Sequence, residues 1–116
     1  MKSIKVFDLN MNDQYVKLNS YISQPLTRIT HLEACDNYCF VHYIDRKKNM
    51  ISKCLKYLHN LDALKCFVRT HRKYAINPYH IKAYHPHKSI IELKSGKMIS
   101  VSRTQRKKVA DYLLAE

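Results

Sequence analysis

One glycine and three prolines are all that the 116 residues offer as backbone punctuation. Turns must therefore be built from Asn, Asp, Ser and Lys. No internal repeat or low-complexity segment is present, which excludes repeat arrays and linker architectures. No apolar run approaches the ~18 residues that a membrane-spanning helix needs. Met1 to Asn10 carry polar residues throughout and lack the apolar stretch of a secretory signal. The expected compartment is the cytoplasm. Cys35, Cys39, Cys54 and Cys66 are then expected as free thiols.

Catalytic signatures are also missing. There is no glycine-rich phosphate loop, nucleophile elbow or HExxH pair. Glu33 and Asp36 lie close in sequence, but nothing completes an acid–base pair. The nearest approaches to a zinc site are Cys35-x3-Cys39 and His85-Pro-His87. Neither has knuckle spacing, and no second pair stands at finger distance. The chain is read as a non-enzyme without metal or cofactor.

Acidic residues are scarce as well: nine Asp and Glu face 21 Lys and Arg, a formal net charge of +12. Such a surplus repels itself in a compact state and points to a polyanionic partner, nucleic acid or an acidic membrane surface. The excess is uneven. Residues 67–110 hold eleven basic side chains against Glu92 alone. A binding surface should come mainly from that stretch. With 46% hydrophobic and 26% charged residues, the chain can bury one core and is not globally disordered. Its length fits a single domain.

The local pattern is mostly that of strands. Tyr15 to Ile22 alternates and predicts a strand, and Pro25 breaks it. Ile29 to Ala34 predicts another, with Ile29 and Leu32 inward. Asp36-Asn37 is a turn signal. Cys39 to Ile44 is β-branched and aromatic, and Asp45 to Asn49 reads as a polar hairpin loop. Ile51, Cys54, Leu55, Leu58 and Leu61 then fall at helical spacing, predicting a short helix over 52–61 with Ser52 as N-cap. Extended structure resumes at Phe67-Val68 and continues through Tyr74, Ile76 and Ile81, interrupted at Asn77-Pro78. Pro86 to Lys88 turns again. Ile90 to Lys94 and Met98 to Val101 predict a hairpin across Ser95-Gly96. A three-residue loop puts Ile91, Leu93, Ile99 and Val101 on one face. Ser102 to Gln105 has capping-box spacing, and Val109, Tyr112 and Leu113 predict a helix over 103–114. Its first turns carry Arg103, Arg106, Lys107 and Lys108. Cations there oppose the helix dipole, and an external anion would reverse that cost.

Arg69-Thr-His-Arg-Lys73 and Ser102 to Lys108 supply the donors that clamp phosphates and read base edges. The spacing alone does not separate DNA from RNA, although no paired aromatics mark an RNA-stacking sheet. Phe67-Val-Arg-Thr-His-Arg-Lys-Tyr-Ala-Ile-Asn77 resembles the F-x-R-x-H-R-S-Y-hydrophobic-hydrophobic-N core of LytTR DNA-binding domains. Ile81-Lys82-Ala83 is similar to a downstream strand of that family. Ile91 to Arg103 is similar to its x-L-x-N-G-x-x-I-P-V-S-R hairpin, and Ile29 to Tyr38 to its I-x-Y-x-E-A-x-G-N-Y start. Asp36, Lys73 and Ser100 stand where the pattern has Gly, Ser and Pro.

The resemblance runs from about Pro25 to Val109. It implies a mainly β, elongated fold of short antiparallel sheets with a short central helix and a C-terminal helix. It divides the chain into an N-terminal extension with a strand, 1–24, and a DNA-binding domain, 25–116, forming one globular unit. It implies a bacterial transcription regulator whose loops enter the major groove of double-stranded DNA, as two copies on direct repeats. The matched contact segments are Asn37, Tyr38 and Cys39; His71, Arg72 and Lys73; and Arg103 with Thr104, Arg106 and Lys107.

Structural roles compete at several of these positions. His71 either touches DNA or orders its own loop. Tyr38 is expected to be partly core, Glu33 to sit beside an arginine, and Asn77 to serve the turn before Pro78. The residues ahead of the match are too few for a receiver domain, so a separate regulatory protein is an expected partner. A membrane-surface role is disfavoured because the apolar face of the 52–61 helix is needed for the core. The rival reading is a protein-interaction adaptor that keeps the fold without selective DNA binding.

Overall fold

The computed structural model describes residues 14–114. Its principal extents are 43 × 31 × 24 Å. Ten short strands, two α-helices and several 3-10 turns make up these residues. The strands form three antiparallel sheets, ordered β1-β2, β5-β4-β3-β7-β6 and β10-β9-β8. The described residues are thus mainly β and close with a C-terminal helix.

β1 (Tyr15–Lys17) and β2 (Ser23–Pro25) pair as a hairpin. A single strand over 15–22 was expected. Instead Asn19 folds the chain back, its Oδ1 accepting from the amides of Tyr21 and Ile22 at 2.8 Å each. Short polar side chains capture backbone donors in this way and compete with the strand ladder. The pairing crosses residue 24, and Val16 and Leu18 are buried in the first core.

β3 (Ile29–Cys35) and β4 (Tyr38–Tyr43) form the central hairpin of the five-stranded sheet around the Asp36-Asn37 turn. Ile29 and Leu32 are both fully buried, as expected. Their odd spacing is reconciled by an irregularity in the pairing between Ile29 and His31, which resets the alternation. β5 (Lys48–Ile51) takes residues expected in a polar loop. It is an edge strand, where lysine is at home. The Lys48 ammonium lies 4.4 Å from the Phe40 ring centroid, and Ile51 reaches the core.

That strand also shortens the expected 52–61 helix. Met50 and Ile51 pair with Phe40 and Cys39, so the chain stays extended there. α1 runs only from Leu55 to His59, capped by Cys54 without a side-chain bond, so Ser52 is not the cap. Leu55 and Leu58 face inward as the periodicity required.

β6 (Val68–His71) and β7 (Tyr74–Ile76) complete the sheet. They also divide the molecule. Successive strand side chains point to opposite faces. Phe67 and Ala75 enter one apolar cluster with Leu32, Val41 and Ile51, while Val68 and Ile76 enter the other. The second cluster gathers β8 (Ile81–His85), β9 (Ile90–Leu93), β10 (Met98–Ser100) and α2 (Arg106–Leu113). In the β9–β10 hairpin Ile99 stands opposite Ile91. Leu93 donates to the Lys97 carbonyl at 2.9 Å, so three residues form the loop. Ile91, Leu93, Ile99 and Val101 are all buried, as that loop length requires. Gly96 adopts φ +95° in the turn, which suits a residue without Cβ.

The last helix departs from its expected start. Arg103–Gln105 is a 3-10 turn, and Ser102 makes no side-chain cap. Its hydroxyl lies 3.3 Å from that of Thr104. The tighter turn has Gln105 N–H donating to the Ser102 carbonyl at 3.0 Å, which replaces capping-box geometry. Val109 and Leu113 are buried. Tyr112 is 41% exposed, and its hydroxyl donates to the Cys66 carbonyl.

Asn77 joins the two halves. It is fully buried, donates from Nδ2 to the carbonyls of Ile29 (2.9 Å) and Leu26 (3.3 Å), and accepts from the Tyr79 amide. Asn77→Ala strands these buried backbone groups and should cost about 2 kcal/mol or more. A lower urea midpoint at unchanged m-value checks this.

A second prediction concerns His31. Burial, then the nearby His42 and Lys97, lower its pKa from 6.5 to about 3. The unfolded chain therefore takes up a proton that the folded chain refuses. Stability is full above pH 6.5 and falls with pH in the window down to about 3, at a limiting slope near 1.4 kcal/mol per pH unit. Unfolding measured from pH 7 to 5 should show a shallower loss for His31→Phe. An unchanged slope would remove His31 from this account.

Candidate nucleic-acid interface

Three sequence-distant segments meet at one end of the molecule, and the sheet register brings them there. β3 pairs with β7, with Glu33 opposite Tyr74. The β6–β7 turn at Arg72-Lys73 therefore lies beside the end of β3, where the Ala34 amide donates to the Lys73 carbonyl at 2.7 Å. The next residues are the Asp36-Asn37 turn. Asp36 holds φ +53°, the left-handed conformation that glycine would adopt without strain. The third segment arrives through β6: Ser102 N–H donates to the Thr70 carbonyl at 2.8 Å. A cleft of about 570 Å³ is shared by Arg69, His71 and Arg72 on one side and Ser102, Thr104 and Gln105 on the other.

The loop at 71–73 is held in shape before any ligand arrives. Arg69 donates from Nε to the His71 carbonyl at 2.9 Å and from Nη2 to the Arg72 carbonyl at 2.8 Å. The Lys73 amide donates to His71 Nδ1 at 3.2 Å. His71 thus orders its own loop, one of its two expected roles. Arg69 was grouped with the donors of this run, yet it is half-buried and turned onto the backbone. Strand alternation turns only Thr70 inward, where it is fully buried, and gives no signal that separates Arg69 from the exposed donors of the run.

Glu33 does not sit beside an arginine as expected. Its carboxylate lies 2.9 Å from His42 Nε2 and 3.6 Å from Lys73 Nζ. Burial pushes its pKa up, but the His42 hydrogen bond and the charges of His42 and Lys73 outweigh this, and the net shift is downward. Lys73 is thereby partly neutralised. Arg72 and Arg103 are exposed and take part in no ion pair among the described residues.

Most of the expected contact residues are available to a partner. Asn37, Arg72, Lys73, Arg103, Thr104, Arg106 and Lys107 are exposed, and His71 is half-buried. Tyr38 is 43% exposed rather than partly core. It opens β4 at the hairpin end, opposite Cys35, where the inner face of the sheet stops. Cys39 is a correction. It is fully buried on the inner face of β4, and burial raises its thiol pKa to about 11. A residue next to Tyr38 on a strand must point the other way, so Cys39 cannot make the expected contact.

All four cysteines are free thiols. Among the described residues no group of three His, Cys, Asp or Glu side chains could hold a metal, and no helix is long and apolar enough to cross a membrane.

A family model of the LytTr DNA-binding domain matches residues 19–114. The fold is similar to that of the LytTr DNA-binding domain of a protein described as a methyl-accepting/DNA response regulator from Bacillus cereus. The TM-score is 0.71 at 24% identity, covering 84% of this chain and 94% of that one. No curated protein matches the sequence. The family match takes in most of the first core, the whole of the second and all three segments of the basic end, from the β1–β2 turn to the last residue described. The chain belongs to the LytTR family of DNA-binding domains.

Proposed function

We propose that this chain is a sequence-specific transcription regulator that binds double-stranded DNA through its basic end. The observation that carries the reading is the convergence of the 36–38, 71–73 and 102–107 segments on one end, with Arg72 and Arg103 exposed and in no ion pair among the described residues. Loops of this kind fit the major groove, where each base pair presents a distinct set of donors and acceptors. Arg103 and the 71–73 loop read bases. Lys107 and the neighbouring cations neutralise phosphates. Asn37 and Tyr38 contribute from the β3–β4 turn.

The binding unit on DNA is two copies on a direct repeat. A separate regulatory protein supplies the signal, and the site of action is the cytoplasm. The chain performs no catalysis in this role. The rigidity of the 71–73 loop supports specific readout, because a loop held by Arg69 loses less entropy on docking.

Selection of binding sites from a random duplex library is the direct test. It should return a repeated motif with about one helical turn between half-sites. Recovery of no enriched sequence, with tight capture of a protein partner, would favour the adaptor reading instead.

Two variants divide the roles. Arg103→Ala should relax preference at one base position, at a cost of about 1–3 kcal/mol on the selected site. Lys107→Ala should weaken all sequences alike and lower the salt slope by about one. With about five phosphates engaged per copy, log affinity should fall against log salt with a slope near −4 to −5. Fluorescence anisotropy over a salt series measures these quantities. A footprint and base preference unchanged in Arg103→Ala would overturn the role given to that side chain.

A further inference from the structure

A second cleft, of about 460 Å³, opens between the two large sheets and is not used by the reading above. Its walls come from the start of β3 (Thr30, His31), the end of β4 and the following turn (His42, Tyr43, Ile44, Arg46), and the β9–β10 loop (Ser95, Gly96, Lys97). These are the ends of the hairpins opposite to the basic end. Asp36 stands six steps along the chain from Thr30, about 20 Å of extended backbone.

Several features meet there. Arg46 and Lys97 are exposed, and among the described residues neither takes part in an ion pair. Among the described residues no acidic side chain lines the cleft, and Glu33 beside it is hydrogen-bonded to His42 at 2.9 Å. Ile44 is 55% exposed, an uncovered apolar surface on its wall. Arg46 holds φ +68° as the last residue of the three-residue β4–β5 loop, where Tyr43 N–H donates to the Lys47 carbonyl at 2.9 Å, and this sets its side chain on the cleft wall. Finally, His31 is 2% exposed, and its Nε2 has no hydrogen-bond partner. Its other ring nitrogen lies 2.8 Å from the Thr30 hydroxyl. Two cations without an ion pair thus line one cleft beside an exposed apolar side chain, and the Glu33 carboxylate offsets Lys97 only through space.

We infer that this cleft binds a small organic carboxylate with a short apolar body, its anionic head between Arg46 and Lys97 and its body against Ile44. The volume lies within the range of small-ligand sites and exceeds what a bare inorganic anion fills. A protein partner is a poorer fit, since a stable interface needs about 800 Å² from each side. DNA phosphate is disfavoured because the cleft lies at the far ends of the strands from Arg72 and Arg103. The inference does not rest on the proposed DNA reading.

Titration of the whole ¹⁵N-labelled 116-residue chain tests it, with hexanoate as probe and acetate, 1-hexanol and inorganic phosphate as comparisons. Hexanoate should shift the Arg46, Gly96 and Lys97 amides saturably and leave those of Arg72 and Arg103 unmoved. Lys97→Gln and Arg46→Gln should each weaken it about tenfold, the loss of one charge-assisted contact. Both side chains are exposed, so the thermal midpoint should hold. Ile44→Ser should weaken hexanoate but not acetate. Equal saturable shifts with phosphate or 1-hexanol would overturn the proposal, as would a response without saturation. Displacement of hexanoate by duplex DNA would also overturn it, because the two cations would then belong to the nucleic-acid surface.

Discussion

The antiparallel pairing of β3 with β7 is the constraint on which the rest of the structure depends. It places β7 in the interior of the five-stranded sheet. There Ala75 faces one apolar cluster and Ile76 the other. It also fixes where the β6–β7 turn emerges, one residue from the end of β3. Asn77 follows directly and binds the carbonyls of Leu26 and Ile29 across this junction. A shift of one residue in this register would send Ile76 into the wrong core and carry Arg72 and Lys73 away from Asn37.

Gathering cations at one end has an electrostatic cost. The chain carries a formal +12, and few acids are available to offset it. Glu33 is a carboxylate that pairs with the 71–73 loop, and it is divided between His42 and Lys73. Arg69 is used differently: its guanidinium is spent on two backbone carbonyls and sets the loop's shape. The end is therefore both charged and preorganised. Those properties act at separate steps, since charge speeds encounter and preorganisation lowers the entropy lost on docking.

Much of the architecture was legible in the residues. The β9–β10 hairpin is the clearest case, because only a three-residue loop sets Ile91, Leu93, Ile99 and Val101 on one face, and all four are buried. Leu55 and Leu58 were legible as an inward helical pair. β5 was not, because Lys48 and Asn49 look like a loop until an edge position makes lysine compatible with a strand. The β1–β2 hairpin was hidden by alternation running through Asn19, whose side chain captures the backbone and reverses it. Cys39 was misassigned with its neighbours although strand alternation already turned it inward.

By itself the sequence determined the chemistry: where the positive charge lies, which residues are apolar, the family pattern and the turns that punctuate the strands. These are local properties, set by side-chain type and spacing. Only the tertiary structure decided which basic residues face a ligand and which serve the fold. Arg69 and Arg72 stand three residues apart in one run, yet one is bound to the backbone and the other is exposed. The same holds for the cleft beside Lys97, whose walls come from residues more than fifty positions apart. Sheet register is a long-range cooperative choice, so no short stretch of sequence encodes which side chains it brings together.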